Sequence, residues 1–433
     1  MGKSRLFLAM AAFVCFLLGS TASAQQWAKT YGGSGYDRIH SIRQTSDGGY
    51  VVACEAELFA HFYYWVLKLE SRGNVQWQKI YGGANHQRPH SIHQTADGGY
   101  VVAGATNSFG AGEFDFWVLK LYSNGSIEWQ KTYGGSGVDE ATSIQETADG
   151  GYVVAGLTDS FGAGHWDLWI LKLDSSGNVQ WQKTYGGIES DWAHSIQQTS
   201  DGGYVVGGQT ASFGAGDYDF WVLKVDSSGD IQWQDTYGGP LRDYVSSIQQ
   251  TADGGYVVAG ATNSFGAGEF DFWVLKLYSN GNVQWQKTYG GIANDLANSI
   301  RQTADGGYVV AGWTVSFGAG DSDVWVLKLD REGNIPGCPA VWSSTAIVGT
   351  TNISGADTGV SGNDTASYAT SNTSATIFDT GVLPTQICYA GPELTGDWMA
   401  LTQSCRETHS GRKCKLKGTL RVENQGDRKG GSG

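Results

Sequence analysis

The chain has 433 residues, a formal net charge of −14, 16% charged residues and 64 glycines. Such acidity excludes a basic footprint for nucleic acid or anionic lipid, since both are held through clustered Lys and Arg. The glycines, with 12% aromatic residues, fit short strands joined by tight turns.

In chain order, the first element is a leader. Lys3 and Arg5 precede an apolar run from Leu6 to Leu18 and the small residues Ala22-Ser23-Ala24, the charge, core and cleavage pattern of a secretory signal peptide. Residues 1–24 are therefore expected to be removed, leaving a secreted, extracellular or cell-surface protein that starts at Gln25. No membrane span is expected, because no apolar run approaches the roughly 20 residues that a spanning helix needs.

Residues 25–336 form a repeat domain. Asp-Gly-Gly-Tyr-Val-Val turns recur at Asp47, Asp97, Asp149, Asp201, Asp253 and Asp305, and tryptophans recur at Trp27, Trp77, Trp129, Trp181, Trp233 and Trp285. Both series step by 50 residues once and by 52 four times. That is the period of a propeller blade. In the third copy, Ser143–Thr147 alternates and Asp149-Gly150-Gly151 turns the chain with positive-φ glycines. Tyr152–Gly156 returns, Asp167–Leu173 forms a third strand and Val179–Tyr185 a fourth. Both faces carry large apolar groups, so each sheet needs a neighbour on either side. The Lys at positions 68, 120, 172, 224, 276 and 328 is expected to pair with nearby carboxylates or to extend along the blade surface.

The expected fold is all-β: a six-bladed propeller of four-stranded blades closed by the N-terminal strand, followed by a Ser/Thr/Gly-rich segment and a short β-rich C-terminal piece. The chain opens on a fourth-type strand, Trp27–Tyr31, and its last copy breaks at Asn334-Ile335-Pro336, so the N-terminal strand is expected to complete the last blade and remove its edge. A seventh blade built from residues 337–391 is the rival.

At Leu173-Asp174-Ser175-Ser176-Gly177-Asn178-Val179-Gln180-Trp181 the chain resembles the turn-and-tryptophan element of quinoprotein-like propellers. Over residues 27–336 it resembles uncharacterised secreted bacterial and archaeal proteins built from Asp-Gly-Gly-Tyr-Val-Val-Ala-Gly propeller repeats. That resemblance implies the fold and no particular reaction. The quinoprotein likeness stops at the docking element, since the adjacent cysteine pair many of those enzymes carry is missing, so no cofactor is expected. Residues 392–433 look like the opening strands of an immunoglobulin-like cell-adhesion module, of which a full copy takes about 100 residues. Between them, residues 337–391 read as a linker or a stack of short irregular strands, with Thr358, Thr365, Thr373 and Thr380 at regular intervals. Export permits disulfides, and Cys338 with Cys388 and Cys405 with Cys414 are the expected pairs. Cys54, standing where other copies have glycine, reads as a small buried thiol.

Comparison of the copies places the site. The Asp-Gly-Gly and Ser-Ser-Gly-Asn turns hardly vary, whereas the inter-blade loops differ in every copy, and variable loops on a repeated scaffold carry function. Asp37, Asp139, Asp191, Asp243 and Asp295 are equivalent there, with Gln87 the exception. They read as caps of their own loops, against a ring of carboxylates holding a cation, and no metal is expected. His40, His90 and His194 open three inner strands but do not read as a metal triad. Tyr36, Trp166, Trp192 and Tyr244, with Phe114, Tyr218 and Phe270, add a surface on which sugar or peptide faces can lie. The ligand-binding candidates are thus Tyr36, Asp37, Asp139, Glu140, Trp166, Asp191, Trp192, Asp243, Tyr244 and Asp295. The reading is a binding or adhesion module for a glycan or an extracellular protein. The alternative is a polysaccharide-acting glycoside hydrolase or lyase using Asp139, Glu140 or Asp191. No catalytic set stands apart from the repeats.

Overall fold

The computed structural model describes residues 27–335 except 34, 59, 319 and 320, and between 341 and 417 only the backbone of short strands. The expected signal peptide, Cys338, Cys388 and the cysteine side chains at 405 and 414 lie outside the described residues. Every described element is a strand. After β1 (Lys29–Gly32) come the six blades. The first is β2–β5 (Asp37–Gln44, Tyr50–Leu58, His61–Leu69, Val75–Gly82), the second β6–β9 (Gln87–Gln94, Tyr100–Thr106, Asp115–Leu121, Ile127–Tyr133). The third is β10–β13 (Asp139–Glu146, Tyr152–Thr158, Asp167–Leu173, Val179–Tyr185), the fourth β14–β17 (Asp191–Gln198, Tyr204–Thr210, Asp219–Val225, Ile231–Gly238). The fifth is β18–β21 (Asp243–Gln250, Tyr256–Thr262, Asp271–Leu277, Val283–Tyr289), and the sixth β22–β24 (Asp295–Gln302, Tyr308–Thr314, Asp323–Leu329). Within each blade consecutive strands pair in order. The chain divides into two compact units, the first carrying blades one to four and the second blades five and six.

Blades pack face to face as both-sided apolar sheets must. Phe116, Val118 and Tyr133 of blade two share a core with Ile144, Tyr152, Trp169 and Leu171 of blade three, all between 0 and 2% exposed. The same set recurs between blades three and four and between blades five and six. Fully burying one such side chain stabilises the fold by roughly 1.5–3 kcal/mol. The fourth strand adds a polar lock: Trp129 Nε1 donates to Ser175 O at 3.1 Å and Tyr133 Oη to Gly177 O at 2.6 Å, both in a turn of the next blade. Tyr133 can be fully buried, and Trp129 partly, because their polar tips find partners.

The Asp-Gly-Gly turn differs in detail from the expectation. Gly150 has φ +78°, whereas Gly151 is not in the positive region. Thr147 and Gly151 close the loop, Thr147 N donating to Gly151 O at 2.9 Å. The second glycine is needed for space instead: a Cβ there would lie 2.2 Å from Leu173 O and 2.6 Å from Lys172 Nζ. That lysine pairs with Asp149 at 2.8 Å, as its counterparts do with Asp47, Asp97, Asp201, Asp253 and Asp305.

The N-terminal strand takes a form the repeat did not foretell. Towards blade one it behaves as a fourth strand, Trp27 Nε1 donating to Ser71 O at 2.9 Å and Tyr31 Oη to Gly73 O at 2.6 Å. Its backbone, expected on the last blade, pairs with β29 (Thr376–Asp379), and among the described residues the sixth sheet has three strands. The physical reason is the segment after residue 337. Its strands add to the outer edges of the blades: β25 (Val341–Ser343) to β21, β26 (Ile347–Thr350) to β17, β27 (Asn363–Asp364) to β9 and β28 (Ala369–Asn372) to β5. These described pieces are fifth strands, not a seventh blade, and they cover edges that would otherwise present unpaired backbone groups. Lastly β30 (Thr402–Thr408) and β31 (Gly411–Lys417) form a hairpin in which Cys405 and Cys414 stand directly opposite. Cys54 is 7% exposed, and burial pushes its thiol up to about 12.

Candidate functional site

The equivalent aspartates sit at the first residue of each inner strand and are structural. Asp139, Asp191, Asp243 and Asp295 are 0% exposed. Each accepts the backbone N–H four residues earlier, from Gly135, Gly187, Gly239 and Gly291, at 2.8–3.0 Å. Each also accepts a serine hydroxyl, from Ser160, Ser212, Ser264 and Ser316, at 2.7–2.9 Å. Asp37 takes the Gly33 N–H at 2.8 Å and is partly exposed. These are the loop caps read from the sequence. Burial raises Asp139, Asp191 and Asp243 above the ordinary carboxylate range, the hydrogen bonds opposing it. Gln87, in the odd copy, turns its amide to Asn85 O and Ser108 Oγ.

The aromatic candidates are left partly exposed beside these caps. In the first unit, Asp191 N donates to Trp166 O at 2.6 Å, which carries the residue before one third strand up to the next inner strand. Trp166 and Trp192 therefore meet with ring centroids 5.1 Å apart, and Trp192 touches His194 edge-on at 6.4 Å. The equivalent bond, Asp139 N to Phe114 O at 2.7 Å, sets Phe114 under the Arg88 guanidinium, 4.9 Å from the ring centre. Tyr36, 50% exposed, accepts from Arg38 at 2.7 Å and meets Phe62 edge-on. In the second unit, Tyr244 stacks on Phe270 at 5.5 Å and 29° and also meets Tyr218, tilted, at 6.2 Å. Arg242 lies 5.9 Å over Tyr218 and pairs with Asp217 at 3.1 Å.

One cluster in the first unit breaks the repeat. His90 Nε2 lies 2.5 Å from Glu140 Oε1, Arg88 lies 4.0 Å from Glu140 Oε2, and His40 lies 3.5 Å from Glu55 Oε2. The two imidazoles cross at 5.2 Å. Burial would raise Glu140, but His90, Arg88 and His40 together hold it below its ordinary value. Glu55 is lowered in the same way, chiefly by His40 against burial. His194 stands apart from this pair, bonded to Gln209 at 3.2 Å and lowered by burial. Among the described residues no group of three or more His, Cys, Asp or Glu is arranged to hold a metal ion. Sequence reasoning named Glu140 and the histidines separately but missed Glu55 and Arg88 as their partners. The signal was available: at the second position of the inner strand the copies read Arg38, Arg88, Glu140, Trp192, Tyr244 and Leu296, and Glu55 faces Arg38 across β2 and β3.

No family model matches the chain. It is 25% identical over 241 residues to the regulatory protein FlaEY of Caulobacter vibrioides, a match that covers 47% of this chain. The chain spans about a quarter of the length of that relative. Among solved structures it is similar to a chain of the COPII outer coat vertex on membranes, with 10% identity, a TM-score of 0.34 and coverage of 90% of this chain and 100% of that one. Among the described residues no helix is long and apolar enough to cross a membrane.

Proposed function

We propose that the protein is a secreted or cell-surface binding module that recognises a glycan or an extracellular protein through its inter-blade loops, with a glycan favoured by the chemistry present. The observation that supports this most is the Trp166–Trp192 pair: two adjoining, partly exposed rings with centroids 5.1 Å apart, in the same unit as the Arg88, His90 and Glu140 cluster. Flat rings cover the apolar faces of sugars while charged and amide groups take their hydroxyls. The fully buried aspartates shape the loops that present these rings and do not themselves reach a glycan. A regulatory role exercised through binding would agree with the name of the Caulobacter relative.

The rival is an enzyme acting on extracellular polysaccharide. It draws support from the 2.5 Å contact of His90 with Glu140, a pairing suited to proton transfer. Of the three carboxylates first considered for that chemistry, Asp139 and Asp191 are fully buried, and Glu140 alone stays accessible to a polymer. A glycan array probed with the full chain tests both readings. Binding that falls at least tenfold in Trp192→Ala, with an unchanged melting temperature, is the expected result. Absence of binding across glycans and surface proteins would remove the binding reading, and polymer cleavage that disappears in Glu140→Gln would establish the enzyme.

A further inference from the structure

At three blade junctions, two aspartates from neighbouring blades converge on one glycine. A Cβ built on Gly134 would lie 2.0 Å from Asp115 Oδ1 and 2.7 Å from Asp139 Oδ2. On Gly186 it would lie 2.0 Å from Asp167 Oδ1 and 2.8 Å from Asp191 Oδ2, and on Gly290 it would meet Asp271 Oδ1 and, at 2.8 Å, Asp295 Oδ2. All six aspartates are at most 1% exposed. Among the described residues none of them forms an ion pair with a basic side chain.

Their hydrogen bonds favour the charged form. Asp271 Oδ2 accepts from Ala267 N at 2.8 Å and Gly268 N at 3.1 Å, Asp295 Oδ2 from Gly291 N and Ser316 Oγ at 2.8 Å each. The other two pairs are furnished alike, by Ala111 and Gly112, and by Ala163 and Gly164. Yet Asp271 Oδ1, buried and aimed at the point it shares with Asp295, has no hydrogen-bond partner. Two ionised carboxylates in a dry site repel each other and cost several kcal/mol unless positive charge joins them.

The chain also varies the two positions together. At the junction of blades one and two the third-strand residue is Tyr63 and the inner-strand residue is Gln87, and both line Gly82 as the aspartates line the other glycines. There the acidic pair is replaced as a pair by neutral groups, as expected if its two members serve one ligand.

We propose that each buried aspartate pair, Asp115 with Asp139, Asp167 with Asp191 and Asp271 with Asp295, binds one hard cation of the calcium type. Calcium takes carboxylate, carbonyl and water oxygens in flexible number. The carbonyls of Gly135 and Gly137 also gather on Gly112, 2.6 and 2.4 Å from a Cβ built there, and the N–H of that glycine serves Asp115. The ion is not shared around a ring of equivalent aspartates; it sits within a junction, beside the Oδ2 of the inner-strand aspartate that also accepts its loop N–H.

The test uses the full chain stripped with EDTA and titrated with calcium alone. Calcium is expected to raise the melting temperature by several degrees and to appear in the protein by mass spectrometry after gel filtration. The double variant Asp167→Tyr, Asp191→Gln copies the Tyr63 and Gln87 junction that the chain already folds with, and it should carry one calcium fewer. Asp167→Asn is a gentler version with the same expected loss. No bound calcium at millimolar concentration, with an unchanged melting temperature, would overturn the proposal in favour of a proton shared by each pair. A calcium count that stays the same in a folded double variant would also overturn it.

Discussion

Each blade carries aspartates at both ends, and the two ends treat them in opposite ways. At the Asp-Gly-Gly end, the Asp149 side chain is 54% exposed and paired with a lysine whose own side chain is 5% exposed. At the inter-blade end, Asp167 and Asp191 are buried and face one another. Burial would raise Asp149, but the Lys172 ammonium, the Thr147 hydroxyl and the Gly151 N–H hold it down at about 2. Burial, with the Asp191 charge adding to it, pushes Asp167 up to about 6 against two backbone N–H bonds. One residue type thus gives two pH responses, decided by which group neutralises it.

The largest expected effect separates the ends by pH. Asp115, Asp167 and Asp271 are each raised to about 6, burial being the first cause. An acid raised on folding stabilises the fold while protonated: the contribution is complete below the unfolded value near 4 and is lost as pH climbs through about 6. Each pair should contribute on the order of 2 kcal/mol, since one pKa unit is worth about 1.4. The protein in EDTA should therefore lose stability between about pH 4 and pH 6, and calcium should abolish the loss. Urea midpoints across that range measure it; a flat profile in EDTA would show that the facing aspartates do not strain one another.

Next in size is a contrast between glycines. A Cβ on Gly186 would run into both buried carboxylates, so Gly186→Ala should cost about 3 kcal/mol, the upper part of the range for overpacking a filled interior. Gly150 at the other end has φ +78° and nothing within 4 Å of a built Cβ. Gly150→Ala should cost about 1–2 kcal/mol, from backbone conformation alone. Equal losses in chemical denaturation would mean that the aspartates move aside and that the junction is looser than its geometry implies.

Most of this architecture was legible because it repeats. Period, strand faces and the docking Trp and Tyr follow from residue types at fixed offsets, and so does the capping role of Asp139 and its equivalents. The parts that were not legible depend on which strands and loops come together across blades. Asp115 and Asp139 are 24 positions apart, and nothing in either local pattern announces that Gly134 brings them into contact. Glu55 and Glu140 likewise gain meaning only when two inner strands set His40 beside His90. The segment after residue 337 carries too little apolar patterning to show that its short strands add to blade edges, or that one of them pairs with the N-terminal strand.

The smallest effect expected is at the lysine pair. Lys172 Nζ binds Asp149 Oδ2 at 2.8 Å and Leu173 O at 3.0 Å. In Lys172→Met the apolar stem is kept and the buried ammonium is lost, while Asp149, half in water, can hydrate. The cost at pH 7 should therefore stay near 1 kcal/mol, close to that of an exposed pair. Its pH dependence is the mirror of the facing aspartates. A carboxylate lowered on folding contributes stability that is present above about 4 and lost as pH falls through about 2. The difference between wild type and Lys172→Met should hold steady from pH 7 to pH 5 and shrink towards zero as pH falls from 4 to 2. Denaturation of both proteins across that range decides it, and a difference that stays constant to pH 2 would assign the effect to lost packing of the lysine rather than to its charge.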